Sequence, residues 1–271
     1  MSGIVLPIMV VSLIGIGGGV ILTIAAKYMA VPVNERVTEI REVLPGANCG
    51  ACGFAGCDEY ADKLINEGVA VNLCTPGGGE VAQAVGKLLG VEAGEVVPMA
   101  AIVKCAGMGG KTSYIMDYQG PRTCEACNFF YQGRGSCSHA CLGFGDCVNV
   151  CQYNAIYIEN GIAVVDRELC TGCGMCAKAC PNMLINIVPK TSEVYVACSS
   201  TDKGAFTRKV CSAGCIGCRR CEKTCEYGAI TITDNLASID PEKCTNCGAC
   251  VGVCPTKVIR SDLPAAQDET A

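Results

Sequence analysis

The stretch CTGCGMCAKACP, Cys170 to Pro181, places four thiols within eleven residues and closes on a proline. Deprotonated cysteine sulfur is a soft donor that holds zinc or an iron–sulfur core, whereas in an oxidising compartment cysteines pair with one another. The chain carries 25 cysteines in 271 residues, against one histidine, no tryptophan and five phenylalanines. A core so poor in large aromatic side chains needs another source of cohesion, and spacing decides which chemistry supplies it. The formal net charge of −5, with no basic stripe, argues against a nucleic-acid partner.

The compartment is read from the N-terminus. From Ile4 to Ala26 run 23 residues without a charge, long enough to cross a hydrocarbon core about 30 Å thick as one helix anchored in lipid. A signal peptide is the alternative, but the stretch is longer than the usual apolar region and nothing basic precedes it. Lys27, Arg36 and Arg41 follow the span. Positive flanks stay in the cytoplasm, so the chain is expected as a single-pass protein of the cell (inner) membrane. The cysteine-bearing body then lies on the reducing side, where disulfides do not persist. The span has no ionisable residue and forms no ion pathway by itself. Its glycines, Gly15 and Gly17 to Gly19, suit close helix packing better than nucleotide binding. CAGMGGKT at 105–112 resembles a phosphate-binding loop, yet Cys105 stands where that motif needs glycine.

The first cysteine group is Cys49, Cys52, Cys57 and Cys74, spaced C-x2-C-x4-C-x16-C. Glycine and alanine between the thiols let backbone wrap closely around an inorganic core and aim N–H groups at its sulfurs. The segment DEYADKLINEG after Cys57 has helical composition, which puts the site at a helix start, where negative charge is favoured. Four thiolates complete one 4Fe-4S site, with a zinc ion as the alternative. EVAQAVGKLLGVEAG at 80–94 predicts a helix and turn beyond it.

The remaining groups become legible when the chain is laid on itself at an offset of 74 residues. Cys147, Cys151, Cys170, Cys173, Cys176 and Cys180 fall on Cys221, Cys225, Cys244, Cys247, Cys250 and Cys254, and Pro181 falls on Pro255. Tyr153, Ala155 and Ile156 fall on Tyr227, Ala229 and Ile230, so a whole module is duplicated. Each copy flanks an apolar hairpin, turning at Asn160-Gly161 or Asp234-Asn235, with two cysteine runs.

CIGCRRCEKTC and CTNCGACVGVCP are runs of the C-x2-C-x2-C-x3-C type, in which the fourth cysteine ligates the neighbouring cluster. Crossed ligation assigns Cys151 to Cys170, Cys173 and Cys176. It assigns Cys254 to Cys215, Cys218 and Cys221, and Cys225 to Cys244, Cys247 and Cys250. In the earlier copy Phe144 stands where the later one has Cys218. Cys137 is expected to replace the missing ligand, alongside Cys141, Cys147 and Cys180.

Five 4Fe-4S clusters use 20 thiols and leave Cys105, Cys124, Cys127, Cys198 and Cys211. Cys105, Cys124, Cys198 and Cys211 are the expected ligands of a sixth, with Cys127 in reserve. Ordinary buried thiols are the other reading, and both stand here. His139 sits between two expected ligands, where it either tunes a site or simply occupies a loop. Arg208, Lys209, Arg219, Arg220 and Lys223 crowd the later copy, as a landing patch for an acidic carrier or as balance for anionic clusters.

The fold class is α+β. Anchor 1–28 precedes a four-cysteine domain at 33–92, a linker with extra cysteines at 93–134, ferredoxin-like modules at 135–190 and 191–262, and a polar tail at 263–271. No flavin or nicotinamide fingerprint and no nucleophile with a base is present, so no catalytic residue is expected.

The apolar segment, then GANCGACGFAGCDEYA with Cys74, then ferredoxin-type runs, resembles in this order the B subunit of the Rnf complexes, membrane-bound ferredoxin:NAD oxidoreductases that drive sodium ions or protons outward. The form with two ferredoxin modules is similar to versions in anaerobic bacteria. The resemblance implies a chain that accepts electrons from soluble reduced ferredoxin and passes them to other membrane subunits of a translocase. An electron-transfer subunit of a different membrane oxidoreductase would share the ferredoxin runs but lack the Cys49 to Cys74 site. A non-redox metal-binding protein is the remaining class.

Overall fold

A computed structural model describes residues 2–28, 34–107 and 109–261; the tail at 263–271 lies outside the described residues. Two units are distinguished, Met1–Glu39 and Ile40–Ala271.

In the first unit, helix α1 runs over Ser2–Tyr28. Its 27 residues extend about 40 Å at 1.5 Å per residue, enough to cross a bilayer. The stretch Ile8–Tyr28 has a mean hydropathy of 2.4, and none of it is buried within the chain. An apolar helix exposed all round gains nothing from water and is stable in lipid, where its backbone bonds are internally satisfied. Helix α2, Glu35–Val43, spans the division between the two units.

In the second unit, α3 (Cys57–Asn66) buries Tyr60, Ala61 and Leu64, and α4 (Gly78–Leu89) buries Ala82 and Val85. Gly90 ends α4 in the left-handed conformation, φ 69°, which releases the chain toward the repeats.

Each repeat is built on two small antiparallel sheets. The first is a hairpin: β2 (Ile156–Glu159) with β3 (Ile162–Val165) in the earlier copy, and β6 (Ile230–Thr233) with β7 (Leu236–Ile239) in the later. Both central turn residues are left-handed, Asn160 and Gly161 at φ 48° and 82°, Asp234 and Asn235 at 49° and 63°. A two-residue turn whose twist matches the strands requires this, and asparagine, aspartate and glycine tolerate it best.

The second sheet pairs the end of the module with its beginning. β4 (Ile185–Pro189) lies against β1 (Met99–Val103), and β8 (Ile259–Ser261) against β5 (Val194–Val196). β1 falls inside the stretch that reads as linker in the sequence, and it closes the earlier module. Short helices carry the cysteine runs: α5 (Cys124–Asn128), α6 (Asp146–Asn149) and α7 (Met175–Ala179) in the earlier half, then α8 (Gly204–Val210), α9 (Arg220–Thr224) and α10 (Ala249–Val253).

Thiols make up much of each core. Ala101, Ile156 and Ile185 pack with Cys147, Cys170 and Cys176, while Val196, Ile230 and Ile259 pack with Cys215, Cys221 and Cys250. The scarcity of aromatic side chains is thus offset by sulfur.

The cysteine loops press on the hairpin turns. Gly143 has φ 72°, and a Cβ there would lie 2.5 Å from the Gly161 carbonyl oxygen; its repeat partner Gly217, φ 62°, would meet the Asn235 carbonyl at 2.9 Å. Gly248 has the same φ of 72° but faces open space. Gly248→Ala should therefore cost only the left-handed penalty of about 1–2 kcal/mol. Gly143→Ala adds a backbone clash and should cost about 3 kcal/mol or more. Anaerobic denaturant titration of the two variants checks the difference, and equal midpoints would contradict the close approach.

Candidate metal centres

Local hydrogen bonds build the first site. The Asn48 side-chain oxygen accepts from the Cys57 N–H at 2.9 Å, and Glu59 accepts from the Ala55 N–H at 2.6 Å, so the loop folds back onto the start of α3. Cys57 is the first residue of that helix, where unpaired N–H groups favour negative charge. The Tyr60 hydroxyl donates to the Ala70 carbonyl at 2.8 Å and accepts from the Leu73 N–H at 3.4 Å, fixing the segment that delivers Cys74. Burial pushes Tyr60 up to about 12, which keeps it a donor. Burial also raises Cys74, an N–H bond from Gly77 opposes this, and the charges of Cys57, Cys49 and Cys52 raise it further, so the four thiols act on one another. Lys178 of α7 donates to the Cys49 carbonyl at 2.8 Å, tying this site to the earlier module.

In that module Cys151, Cys170, Cys173 and Cys176 line one pocket. β1 contributes to it directly, because the Ala101 N–H donates to the Cys170 sulfur at 3.3 Å. Burial pushes Cys176 up to about 11, with the charges of Cys170, Cys173 and Cys151 acting in the same direction.

The neighbouring pocket differs from the sequence reading. It is lined by Cys124, Cys141, Cys147 and Cys180. Burial pushes Cys147 up to about 12, and the thiols that add to this are led by Cys141, Cys124 and Cys180. Cys137, which spacing assigns to this site, is elsewhere, and Cys124 takes its place.

Asp146 is the physical reason for the exchange. Its two carboxylate oxygens accept from the Cys124 and Glu125 N–H groups at 2.9 and 3.0 Å, while the Thr123 side chain accepts from the Ala126 N–H at 3.2 Å. These bonds cap α5 and hold it against α6. Phe144, in place of a fourth thiol, turns into an aromatic layer with Tyr118 at 5.8 Å and the Arg134 guanidinium at 4.4 Å.

Cys137 is drawn the other way. Residues 111–115 form a strap that bridges Thr112 to Cys211 and Tyr114 to Gly135. The Ser136 N–H donates to the Ser113 carbonyl at 2.8 Å and the Ser212 N–H to the Lys111 carbonyl at 2.9 Å, setting the two segments side by side. A further pocket therefore gathers Cys105, Cys137, Cys198 and Cys211. Of the four thiols expected as ligands of a sixth cluster, Cys105, Cys198 and Cys211 meet and Cys124 does not. Cys127, 1 % exposed, lies in an apolar cluster with Leu142, Phe144 and Tyr118.

In the later module burial raises Cys221, with an N–H bond from Glu222 opposing, and the thiols acting on it are Cys215, Cys218 and Cys254. Burial alone would raise Cys254 too, but bonds from the Ile259, Val258 and Thr256 N–H groups and the Thr256 hydroxyl hold it below the usual thiol range. Cys250 is pushed up to about 11 by burial and by Cys244, with Cys221 and Cys247 adding; Cys225 packs against the same core.

All 25 cysteines are unpaired with one another. Among the described residues, no three or more His, Cys, Asp or Glu close on one point as the ligands of a single ion would. Four thiolates around zinc at about 2.3 Å would crowd within about 4 Å of each other. Thiols that instead ring a pocket suit a polynuclear iron–sulfur core. Burial and mutual repulsion push Cys147 up to about 12 and Cys176 up to about 11, so a bound core displaces protons there and its binding free energy becomes folding free energy.

Tandem modules with thiol-ringed pockets define an iron–sulfur protein of the multi-cluster ferredoxin class. Family models match in four segments: a putative Fe-S cluster family over residues 44–76, 4Fe-4S binding domains over 141–155 and 163–186, and a 4Fe-4S dicluster domain over 214–258. The B subunit of the ion-translocating oxidoreductase complex of Methanosarcina acetivorans is 43% identical over 91% of this chain and 94% of its own length. The B subunit of the Na(+)-translocating ferredoxin:NAD(+) oxidoreductase complex of Acetobacterium woodii is 39% identical over 97% of this chain and 79% of its own. The proton-translocating counterpart of Clostridium ljungdahlii is 39% identical over 96% and 93%. The chain belongs to the family of B subunits of ion-translocating oxidoreductase complexes.

Asp146 fixes the start of α5 through the Cys124 and Glu125 N–H groups. Asp146→Ala should lower stability by about 1–2 kcal/mol through loss of the α5 cap, and Asp146→Asn should recover part of it. Anaerobic denaturation of both variants tests this, and an unchanged midpoint for the alanine variant would refute the capping role.

Proposed function

We propose that this chain is the membrane-anchored electron-entry subunit of an ion-pumping ferredoxin:NAD oxidoreductase, taking electrons from soluble reduced ferredoxin and delivering them to the membrane subunits. The observation that carries the reading is the succession of thiol-ringed pockets on a chain anchored by one apolar helix. Five 4Fe-4S clusters would be held by Cys49, Cys52, Cys57 and Cys74; by Cys124, Cys141, Cys147 and Cys180; by Cys151, Cys170, Cys173 and Cys176; by Cys215, Cys218, Cys221 and Cys254; and by Cys225, Cys244, Cys247 and Cys250. Such clusters, when bound, exchange single electrons at potentials set by hydrogen bonds, burial and charge.

The chain's own residues tune and orient these sites. N–H groups of β1 and of the segments after each run point at sulfur, which favours the anionic form. Cys218 and Cys247 are exposed, whereas the cysteines of the earlier module are buried or half-buried. Arg219 and Arg220 are exposed next to Cys218 in sequence. A positive, accessible corner of this kind suits an acidic carrier protein. The positive residues after α1 favour a body on the cytoplasmic side. The relatives of A. woodii and C. ljungdahlii bear sodium and proton names at equal identity, so similarity favours neither ion.

Anaerobic mixing of the purified complex with reduced ferredoxin should bleach its visible absorbance. A complex that dithionite bleaches but reduced ferredoxin does not would refute the donor. Arg219→Glu with Arg220→Glu should slow that bimolecular step about tenfold at low salt, with the difference shrinking as salt rises. Equal rates at low salt would remove the docking corner. Protease added to inside-out vesicles should release the iron–sulfur body, and release from right-side-out vesicles alone would reverse the orientation.

A further inference from the structure

We propose that Cys105, Cys137, Cys198 and Cys211 form a sixth 4Fe-4S site between the two ferredoxin modules, outside every segment that the iron–sulfur family models match. The inference rests on the iron–sulfur reading of the other five sites and adds one that spacing alone does not delimit.

Symmetry carries it first. Cys105 lies two residues beyond β1, and Cys198 lies two residues beyond β5, so each module contributes the thiol at the end of its opening strand. Cys137 and Cys211 are repeat partners at the 74-residue offset, so each module also contributes the thiol that begins its first run. Two equivalent pairs meet at one pocket.

Hydrogen bonding follows the same symmetry. The Cys105 sulfur accepts from the Cys141 N–H at 3.4 Å, and the Cys198 sulfur from the Cys215 N–H at 3.3 Å; Cys141 and Cys215 are themselves repeat partners. The Cys198 sulfur also accepts the Ser200 N–H at 3.4 Å, and the N–H groups of Gly107, His139 and Ala213, each two residues on, oppose the rise that burial imposes on Cys105, Cys137 and Cys211. A neutral thiol is a weak acceptor that gains little from such donors, whereas a metal-bound thiolate is stabilised by each.

The walls are made of small residues. Besides the thiols they include Gly107, Ala140, Ala197, Ala213 and Gly214, and the pocket matches in size the one around Cys151, Cys170, Cys173 and Cys176. Each iron–sulfur bond forms as one S–H proton leaves, so the ligand exchange itself needs no oxidant or reductant. Cys141 and Cys215 give their N–H groups to this site while their own thiols serve the adjacent ones. One residue on either side therefore joins the sixth site to each module.

The test is iron and acid-labile sulfide counting on the full chain prepared without oxygen, backed by electron paramagnetic resonance. At four irons per cluster the wild type should carry about 24 per chain. About 20 would overturn this site alone, and a preparation devoid of iron would overturn the underlying reading with it. Ligand partition is read from pairs of substitutions. Cys137→Ala with Cys198→Ala should lose about four irons, because both serve one cluster, whereas Cys124→Ala with Cys198→Ala should lose about eight. The reverse pattern would overturn the ligand set. Full iron in both Cys105→Ala and Cys211→Ala would overturn the site, while the wild-type count decides the matter even where a variant fails to fold.

Discussion

Sulfur anions cannot be gathered in a protein interior unless something cationic sits among them. Burial and mutual repulsion drive Cys137 and Cys147 up to about 12, far from a state in which several thiolates coexist. Iron relieves both penalties at once, and the small sheets and short helices of this chain are arranged around that relief. Two-stranded sheets are marginal in isolation, so the modules draw their cohesion from the sites they enclose. Without the inorganic cores, sulfur in place of aromatic side chains would be a poor core.

Crossed connection gives this economy its geometry. In the earlier module Cys180 lines the pocket of the preceding run and Cys151 that of the following one, so the proposed ligand sets would tie the two halves together. The same logic operates between modules, where opening-strand and first-run thiols of both copies meet. A duplicated sequence has thereby become a continuous series of sites instead of two independent pairs.

Much of this is legible in the sequence, and the parts that are not have a common cause. The apolar helix, the two hairpins and the helix beginning at Cys57 are written in local composition and turn chemistry, so neighbours in sequence suffice. β1 reads as linker because MAAIV finds its partner, β4, only after most of a module has intervened. Cys124 and Cys137 exchange places for a similar reason. Spacing favours Cys137, the thiol nearest in sequence to Cys141, whereas Asp146 reaches across to cap α5 and the 111–115 strap pairs with both copies. Neither device has a periodicity. The repeat offset does not decide it either, since Cys137 and Cys211 are partners at 74 residues and so are Cys124 and Cys198, and only the first pair meets in one pocket.

Accessibility at Cys218 and Cys247 has a second edge. A thiol-ringed corner open enough to meet a carrier protein is also open to dioxygen, and oxidation of sulfur follows exposure. Oxidation is therefore expected first at these two positions of the later module, since the cysteines of the earlier one are buried or half-buried. The same opening that exposes these two sulfurs to a partner also exposes them to small oxidants.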